Sequence, residues 1–260
     1  MAPWACNGKS GGAVFFSTTS VRIPERELMT PFPPNLRYER KFLAEPMSLA
    51  EVLALLRRHP ALFREAYPPR SVNNIYLDSP ALRDYHDHIQ GVASRSKTRI
   101  RWYGSCGLTV ERPVLERKIK RGAVGGKVSH PLPAMAWDAD DPRRVVDAAL
   151  GCGDVPPLLR AAASLLVPTL VNRYQRHYYV SADGSFRLTV DWDLQFAGLA
   201  RFAAGGALSA ADPCVIIELK YAPCHADRAA DAVSNALPFR LTRCSKYVLG
   251  VQRMTSGALP

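Results

Sequence analysis

Cationic side chains recur at every second residue along several short segments of this sequence. In KTRIRWY, Lys97, Arg99 and Arg101 occupy alternate positions, and in CVIIELKY the residues Glu218 and Lys220 do the same. A β-strand turns successive side chains to opposite faces, so residues at this spacing share one face. Arginine offers planar pairs of donors that match phosphate oxygens, and lysine offers point charges. The spacing therefore predicts a sheet with one cationic face that suits a polyanion.

Two further segments extend this pattern. VLERKIK puts Glu116 and Lys118 on one face, and the hairpin predicted at an Asp-Gly pair carries Arg176 and Arg187. For any one strand, a solvent-exposed face is the simpler interpretation, because charged outer faces are common on half-buried strands. Repetition over several strands favours an inward face, since a closed sheet would then hold its cations around a polyanion. The interspersed glutamates would hold a divalent cation among phosphates.

The overall composition agrees with an anionic partner. The 260 residues carry a formal net charge of +11, which suits nucleic acid, an acidic membrane surface or a phosphate-rich small molecule. A length of this order and a hydrophobic fraction of 47% suit one large domain with a proper core. The six cysteines form no C-x-x-C pair, which predicts reduced thiols in a cytoplasmic protein. No apolar run of about 18 residues occurs, so we predict no membrane span.

The elements that must position these residues do not follow a regular β-α-β order. We predict strands at 37–43, 71–78, 97–103, 114–120, 173–180, 185–192, 214–221 and 243–251. We predict helices from a capping box at Ser48 to about Pro60, at 80–89, from Asp141 to Gly151, at 156–166 and at 225–236, with a glycine-rich loop at 122–126. This arrangement favours an α+β fold, an antiparallel sheet or barrel with peripheral helices.

The two ends of the chain differ in composition from the rest. Residues 1–35 are rich in Gly, Ser, Thr and Pro, which predicts a disordered leader or an over-extended start with Met29 as the true beginning. We predict one folded domain over residues 36–252 and a short tail over 253–260.

Seven stretches between residues 37 and 252 together resemble a known family. In order they are RYERKF, YPPRSVNNIYLDSP, SRSKTRIRWYG, LERKIKRG, NRYQRHYYVSADGSFRLTVD, IIELKY and LPFRLTRCSKYVLG. They resemble the VTC domain, the vacuolar transporter chaperone type of polyphosphate polymerase, within the CYTH or triphosphate tunnel metalloenzyme superfamily. The resemblance implies an antiparallel eight-stranded β-barrel tunnel with peripheral helices. It also implies transfer of the terminal phosphate of ATP onto inorganic polyphosphate, with Mn²⁺ or Mg²⁺ as the cofactor.

The resemblance further implies roles for individual residues. The implied catalytic lysines are Lys41, Lys118 and Lys246. The implied substrate-binding residues are Arg99, Arg101, Arg176, Arg187, Lys220 and Arg243. The implied metal ligand is Glu218, helped by Glu39 or Glu116. Many superfamily members begin with Glu-x-Glu-x-Lys, whereas Arg37 stands at the first of these positions here. This departure favours the polymerase branch over the triphosphatases and predicts a leaner metal site.

Other functions stay open on the same residues. The tunnel could serve a triphosphatase, or a non-catalytic domain that binds polyphosphate or inositol phosphates. A nucleic-acid binder would stack bases on Trp102, Tyr103, Tyr174 or Tyr178. We expect these aromatics to alternate opposite the arginines, and no known nucleic-acid motif occurs, so we predict no nucleic-acid partner. The partners that the resemblance implies are ATP and inorganic polyphosphate. A membrane-bound partner is compatible with the sequence.

Overall fold

The computed structural model describes residues 36–138, 140–152, 154–225 and 228–256. The predicted leader at 1–35 and the last four residues of the predicted tail lie outside the described residues. The strands are β1 Arg37–Ala44, β2 Arg64–Asp78, β3 Ser94–Tyr103, β4 Thr109–Val110, β5 Val114–Arg121, β6 Val124–Pro131, β7 Met135–Ala136, β8 Val167–Val180, β9 Phe186–Gly198, β10 Val215–Tyr221 and β11 Arg240–Leu241. The helices are α1 Leu49–Arg57, α2 Arg83–Ile89, α3 Pro142–Gly151, α4 Pro157–Ser164, α5 Leu199–Ala203, α6 Arg228–Asn235 and α7 Lys246–Thr255.

Eight of these strands form a closed antiparallel ring. The order is β1-β10-β9-β8-β2-β3-β5-β6, and β6 pairs with β1 again to close it. The closing pair is short, with Arg37 opposite Gly125 and Tyr38 opposite Val124. The short strand β11 adds to β1, and β4 pairs with β7 in a separate sheet. The predicted α+β fold, an antiparallel ring of eight strands with peripheral helices, is confirmed.

The apolar faces of the ring strands point outward and are covered by helices. Ile100 and Leu115 belong to a buried cluster that includes residues of α3 and α4, whereas Leu188 and Ile217 pack with residues of α1 and α6. Burial of these two faces on the outside leaves the alternate, mostly charged positions of the same strands facing the interior. A third cluster lies on the inward face, where α7 packs against Leu170 and Tyr174 of β8 and Ile216 of β10.

Two sequence expectations about secondary structure are wrong. The predicted last strand at 243–251 is instead α7, which begins after Ser245, whose side chain accepts a hydrogen bond from the backbone of Val248 at 3.3 Å. Its buried residues Tyr247, Gly250 and Val251 recur at helical spacing, three and four residues apart, which a strand could not bury on one face.

The glycine-rich segment predicted as a loop is largely strand. Gly122 adopts a left-handed conformation with φ of 58° and forms the turn, and β6 begins two residues later. Gly125 pairs with Lys120, and a Cβ on it would lie 3.3 Å from the carbonyl oxygen of Ile119. Glycine therefore allows the two strands to pair closely here, although a glycine-rich segment is more typical of a loop.

Other boundaries differ less. The capping box of Ser48 and Glu51 and the cap of α3 by Asp141 are confirmed. The first helix ends at Arg57, three residues before the predicted end at Pro60. None of the helices in the described ranges is long and apolar enough to cross a membrane.

We predict that Gly250→Ala destabilises the fold by about 1–3 kcal/mol, because overpacking a buried contact forces its neighbours to move. A Cβ at this position would lie 2.6 Å from Cδ1 of the buried Phe196, and closer still to the buried Leu170. Thermal unfolding measures the loss. Gly151→Ala is the matched control, since nothing lies within 4 Å of the added Cβ and alanine favours a helix. Equal melting temperatures for both variants would contradict the prediction.

Candidate functional site

The inner face of the strand ring encloses a cavity of about 140 Å³. Among its lining residues, ten are Arg or Lys and two are Glu. The cations are Arg37, Lys41, Lys97, Arg99, Arg101, Lys118, Lys127, Arg176, Lys220 and Lys246, and the glutamates are Glu39 and Glu218. We call this cavity the tunnel. The cationic strand faces that the alternation predicted therefore meet inside the ring.

Glu218 lies among four cations. Its carboxylate is 2.9 Å from the amino groups of Lys41 and Lys220, 3.6 Å from Arg176 and 3.7 Å from Lys246. Burial on its own would raise the pKa of Glu218, but these four cations, led by Lys220 and Lys41, hold it well below its usual value. The side chain is ionised, and it offsets part of the repulsion between the surrounding cations.

Glu39 has an oxygen without a partner. It accepts a hydrogen bond from Lys118 through Oε2, and its buried Oε1 has no hydrogen-bond partner in the described part of the chain. The Lys41 amino group lies 3.8 Å from Oε1. Burial would raise the pKa of Glu39, but Lys118, and after it Lys41, hold the pKa well below its usual value. The result is an ionised carboxylate with unused acceptor capacity at the tunnel wall.

Glu116 holds the arginines of the opposite wall. Its Oε2 accepts from Arg99 at 2.6 Å and lies 3.7 Å from Arg101, and its Oε1 accepts from Lys127. It is 4% exposed and is not among the tunnel-lining residues. Both of its oxygens are thus occupied by cations, which orients the guanidinium groups toward the tunnel.

Asp191 plays the corresponding part on β9. It accepts two hydrogen bonds from Arg176, at 2.5 and 2.6 Å, and also pairs with Lys246. Asp191 is fully buried. Burial would raise its pKa, but Arg176 and Lys246 hold the pKa below its usual value. The Asp191 carboxylate thus fixes the positions of Arg176 and Lys246, which both face the tunnel.

Lys97 and Lys118 lie where cations are most crowded. Lys97 donates a hydrogen bond to the Ser245 hydroxyl at 2.5 Å, and burial followed by the charges of Lys41 and Lys118 lowers its pKa well below the usual value. Burial, together with the charge of Lys41 and against the attraction of Glu39, lowers the pKa of Lys118 to about 8. Both lysines would gain a proton more readily beside a bound anion.

Two predicted substrate-binding residues lie away from the tunnel lining. Arg187 is exposed and pairs in register with Lys220 between β9 and β10. Arg243 is also exposed, and it lines a second cavity of about 430 Å³ together with Arg95 and Lys120. We call these three residues the basic mouth. The second cavity shares several lining residues with the first, namely Glu39, Lys41, Lys97, Lys118 and Ser245, so the two are continuous.

The expected position of the aromatic residues is wrong for three of the four. Tyr174 and Tyr178 share the face of Arg176, whose guanidinium carbon lies 5.2 and 6.0 Å from their ring centroids. Tyr103 shares the parity of Arg101, and only Trp102 faces the outer core as expected. The sequence spacing could have predicted this position, because residues two apart on a strand share a face.

Sequence reasoning did not select three residues that matter here. Lys127 was hidden by the assignment of its strand as a loop, although it lies opposite Lys118 across the β5–β6 pair. Lys97 shares the parity of the selected arginines and lies in SRSKTRIRWYG, but the resemblance gave it no role. Asp191 lies four positions after Arg187 and so shares its face, but only the pairing of β8 with β9 shows that it lies opposite Arg176.

A closed antiparallel ring with a cationic interior and ionised glutamates defines a polyanion-binding tunnel domain. The sequence model of the VTC domain family matches residues 36–255, and the chain belongs to this family. The resemblance identified from the sequence motifs is thereby confirmed. No curated protein shows significant sequence similarity to this chain.

Solved structures of similar shape come from distant proteins. A protein from Pyrococcus horikoshii OT3 has 14% identity and a TM-score of 0.47, and the match covers 84% of this chain and 99% of the Pyrococcus chain. A Hippeastrum protein described as an adenylyl cyclase candidate with a dominant triphosphatase activity has 16% identity and a TM-score of 0.46, covering 86% and 96%. A Vibrio parahaemolyticus adenylate cyclase candidate has 12% identity and a TM-score of 0.45, covering 83% and 98%.

The pKa of Lys118 leads to a prediction about pH. Between about 8 and the unperturbed 10.5, the folded state holds fewer protons on Lys118 than the unfolded chain, so stability without an anion rises with pH across this window. A bound polyanion favours the charged lysine, so affinity for tripolyphosphate falls above about pH 8, by up to about tenfold per pH unit.

Calorimetric titration of tripolyphosphate between about pH 7 and about pH 9.5 measures this effect. Lys118→Arg keeps a cation that stays charged throughout the range, so its affinity should change less with pH above about pH 8. The same slope in the variant and the wild type would contradict the assignment to Lys118.

Proposed function

We propose that this domain catalyses the divalent-metal-dependent transfer of the terminal phosphate of ATP onto inorganic polyphosphate in the cytoplasm. The observation that carries the proposal is the excess of cations over carboxylates inside the tunnel, ten against two. A closed ring with this imbalance is stabilised by a ligand that brings several negative charges in a row. Membership of the VTC domain family supports a phosphate polymer as that ligand.

Three arginines bind the triphosphate in this proposal. Arg99 and Arg101 are held by Glu116, and Arg176 is held by Asp191. Because these side chains are already oriented and partly buried, little conformational entropy is lost when phosphate oxygens bind to them. Lys220, 2.9 Å from Glu218, adds a further charge on the β10 side. Arg187 and Arg243 contact the anion only outside the tunnel.

The three proposed catalytic lysines surround the reacting phosphate. Lys41 and Lys246 both lie near Oε1 of Glu218, and Lys118 approaches Glu39. When phosphate oxygens displace these carboxylates, the ammonium groups stabilise the charge that spreads over the transferred group. Lys97 lies next to them and would gain a proton as the anion enters. An acceptor phosphate aligned with the leaving diphosphate completes an in-line transfer without a covalent protein intermediate.

The residues present fit a divalent cation. Glu39 offers a buried, unpartnered Oε1, and Glu218 offers an ionised carboxylate close by, since both lie within 4 Å of the Lys41 amino group. No group of three or more His, Cys, Asp or Glu side chains suited to a metal occurs among the described residues. Mg²⁺ is commonly held by one or two carboxylates together with phosphates and water, so a leaner site suffices. When bound, the ion would neutralise charge on the phosphate oxygens.

The basic mouth supports a polymer as the acceptor. Arg95, Lys120 and Arg243 line the larger cavity that continues from the tunnel, beyond the length that one triphosphate requires. A water molecule needs no such cationic path, whereas every added phosphate of a growing chain carries a charge that must be met. This continuity favours the polymerase over a triphosphatase on the same residues.

We predict that Glu218→Gln reduces ATP-dependent polyphosphate synthesis by at least about 100-fold, because it removes a charged ligand from the reacting centre. Affinity for tripolyphosphate without metal should stay the same or increase, since a negative charge next to the anion is lost. Polymer formation and tripolyphosphate hydrolysis are both measured with Mn²⁺ or Mg²⁺ present. Hydrolysis without synthesis would make the domain a triphosphatase, and binding without either reaction would make it a receptor.

Two further variants calibrate that result. Lys246→Met should lower both turnover and tripolyphosphate affinity, because it removes a cation from the tunnel. Arg58→Gln removes the same unit charge from the exposed end of α1 and should change neither. Loss of tripolyphosphate binding in Arg58→Gln would show that net charge alone, and not the tunnel, accounts for the affinity.

We further predict that chain length separates the tunnel from the basic mouth. Combined replacement of Arg95, Lys120 and Arg243 by Gln should weaken binding of long polyphosphate by about tenfold or more, since several phosphate contacts are lost. Binding of tripolyphosphate, which the tunnel accommodates, should change by less than about twofold at moderate ionic strength. Competition between the two anions measures the difference. An equal loss for both would contradict a separate site for the polymer.

A further inference from the structure

Four residues form an aromatic collar at one end of the tunnel: Tyr67, Arg70, Tyr103 and Tyr178. The Arg70 guanidinium carbon lies 5.4 Å from the ring centroid of Tyr67 and 5.8 Å from those of Tyr103 and Tyr178. Tyr67 and Tyr178 also meet edge to face, with centroids 5.9 Å apart. A cation over the faces of several rings is a stabilising arrangement that fixes their orientation.

The collar lies on the inner side of the ring. Tyr103 follows the tunnel residue Arg101 by two positions on β3, and Tyr178 follows Arg176 by two positions on β8. Residues two apart on a strand point to the same face, so both rings continue the tunnel wall. Arg70 lies opposite Arg176 in the register of β2 and β8. The collar is therefore contiguous with the arginines proposed to bind the triphosphate.

The collar and the basic mouth occupy opposite ends of the tunnel. Along β3 the inward positions run from Arg95 through Lys97, Arg99 and Arg101 to Tyr103. A strand rises by about 3.3 Å per residue, so Arg95 and Tyr103 are separated by roughly 26 Å. Cations without aromatic rings line one end of this path, and aromatic rings around an arginine line the other.

The segment Tyr67-Pro68-Pro69-Arg70 is shaped to build the collar. The pairing of β2 with β8 shifts register between Glu65 and Tyr67 and again between Tyr67 and Arg70. Such irregularities bend a strand and re-aim its side chains. The two prolines lack backbone N–H groups, and β3 does not pair with this part of β2, which begins to pair with β3 only at Val72. The irregular edge thus brings two side chains to the same point.

The collar presents free aromatic surface to solvent. Tyr67 is 57% exposed and Tyr103 is 50% exposed. Arg70 is exposed as well, and it makes no ion pair with an acidic side chain anywhere in the described ranges. An exposed arginine held over rings, with no carboxylate partner, leaves both the rings and the guanidinium plane available to a flat ligand.

We propose that the aromatic collar binds the base of a nucleoside triphosphate by stacking, while the triphosphate extends past Arg176 and Arg101 into the tunnel. This inference rests on the proposed function, in which ATP is the phosphate donor, and adds a direction to it. The nucleoside lies at the collar, and the polymer leaves toward the basic mouth. Stacking depends on the π-face that every base has, so the collar accepts guanine as well as adenine.

The test compares two ligands of equal charge. ATP and methyl triphosphate share the triphosphate monoester, and only ATP has a base. The wild type should bind ATP about tenfold more tightly than methyl triphosphate, the magnitude expected for one stacked base. Tyr103→Ala should abolish this preference and change methyl triphosphate affinity by less than about twofold, because no tunnel cation is altered. Tyr67→Ala should reduce the preference in the same way.

Two further variants serve as controls. Tyr103→Phe keeps the ring and should retain the preference for ATP. Leu165→Ala shortens a side chain that is 75% exposed at the end of α4, and it should leave both affinities unchanged. Thermal unfolding of each variant shows whether it is folded. Equal binding of ATP and methyl triphosphate by the wild type, or an equal loss of both in Tyr103→Ala, would overturn the collar as a base site.

The two proposals fail in different ways. If methyl triphosphate and tripolyphosphate bind but ATP gains nothing from its base, the collar inference fails and the triphosphate tunnel stands. If none of the three anions binds, the proposed function fails, and the collar inference fails with it.

Discussion

Repulsion between like charges inside a closed ring is the constraint on which the rest of this structure depends. The outer faces of the strands are buried under helices, so the alternate positions have no direction to face except inward. Ten cations therefore share a cavity of about 140 Å³. Glu116, Asp191 and Glu218 each contact several of them, which lets the ring close without a ligand. The carboxylates remain fewer than the cations, and the excess is what draws a polyanion inside.

The cations are also held in place by helix α7, which packs against inward-facing residues of the ring. Lys246 is the first residue of α7, and the next residue, Tyr247, donates a hydrogen bond at 2.5 Å to the fully buried Asp78 at the end of β2. Asp78 also accepts from the backbone of Asp84 and Tyr85 in α2. One carboxylate thus fastens two helices to the ring, and the start of α7 carries Lys246 to Asp191 and Glu218. The apolar packing of α7 and the charges of the tunnel are parts of one arrangement.

Strand parity predicted most of this site, because a period of two follows from backbone geometry and needs no knowledge of neighbours. The shared face of Arg99, Arg101 and Lys118 was found this way. The closed ring was implied by the family resemblance. The same rule, applied to Tyr178, would have put it beside Arg176. Glycine concealed β6 and with it Lys127, since local composition cannot show that a glycine pairs closely with another strand. Arg187 is exposed although it lies within the ring, paired with both Val180 and Lys220, and the sequence pattern does not show how far the tunnel extends along β9.

The difference between the two ends of the tunnel follows from what a donor and a product would each require. A phosphate polymer repeats one charged unit, so a path of cations such as Arg95 and Lys120 meets every part of it equally. A nucleotide carries one base at one end of its charge, so it needs a flat surface at a single place, and Tyr103 supplies that surface beyond the last arginine of β3. If both ends were cationic, a triphosphate could enter in either direction, with its reactive phosphate at the wrong end of the lysine cluster. An aromatic end removes that ambiguity at no cost in tunnel charge, because the rings are neutral.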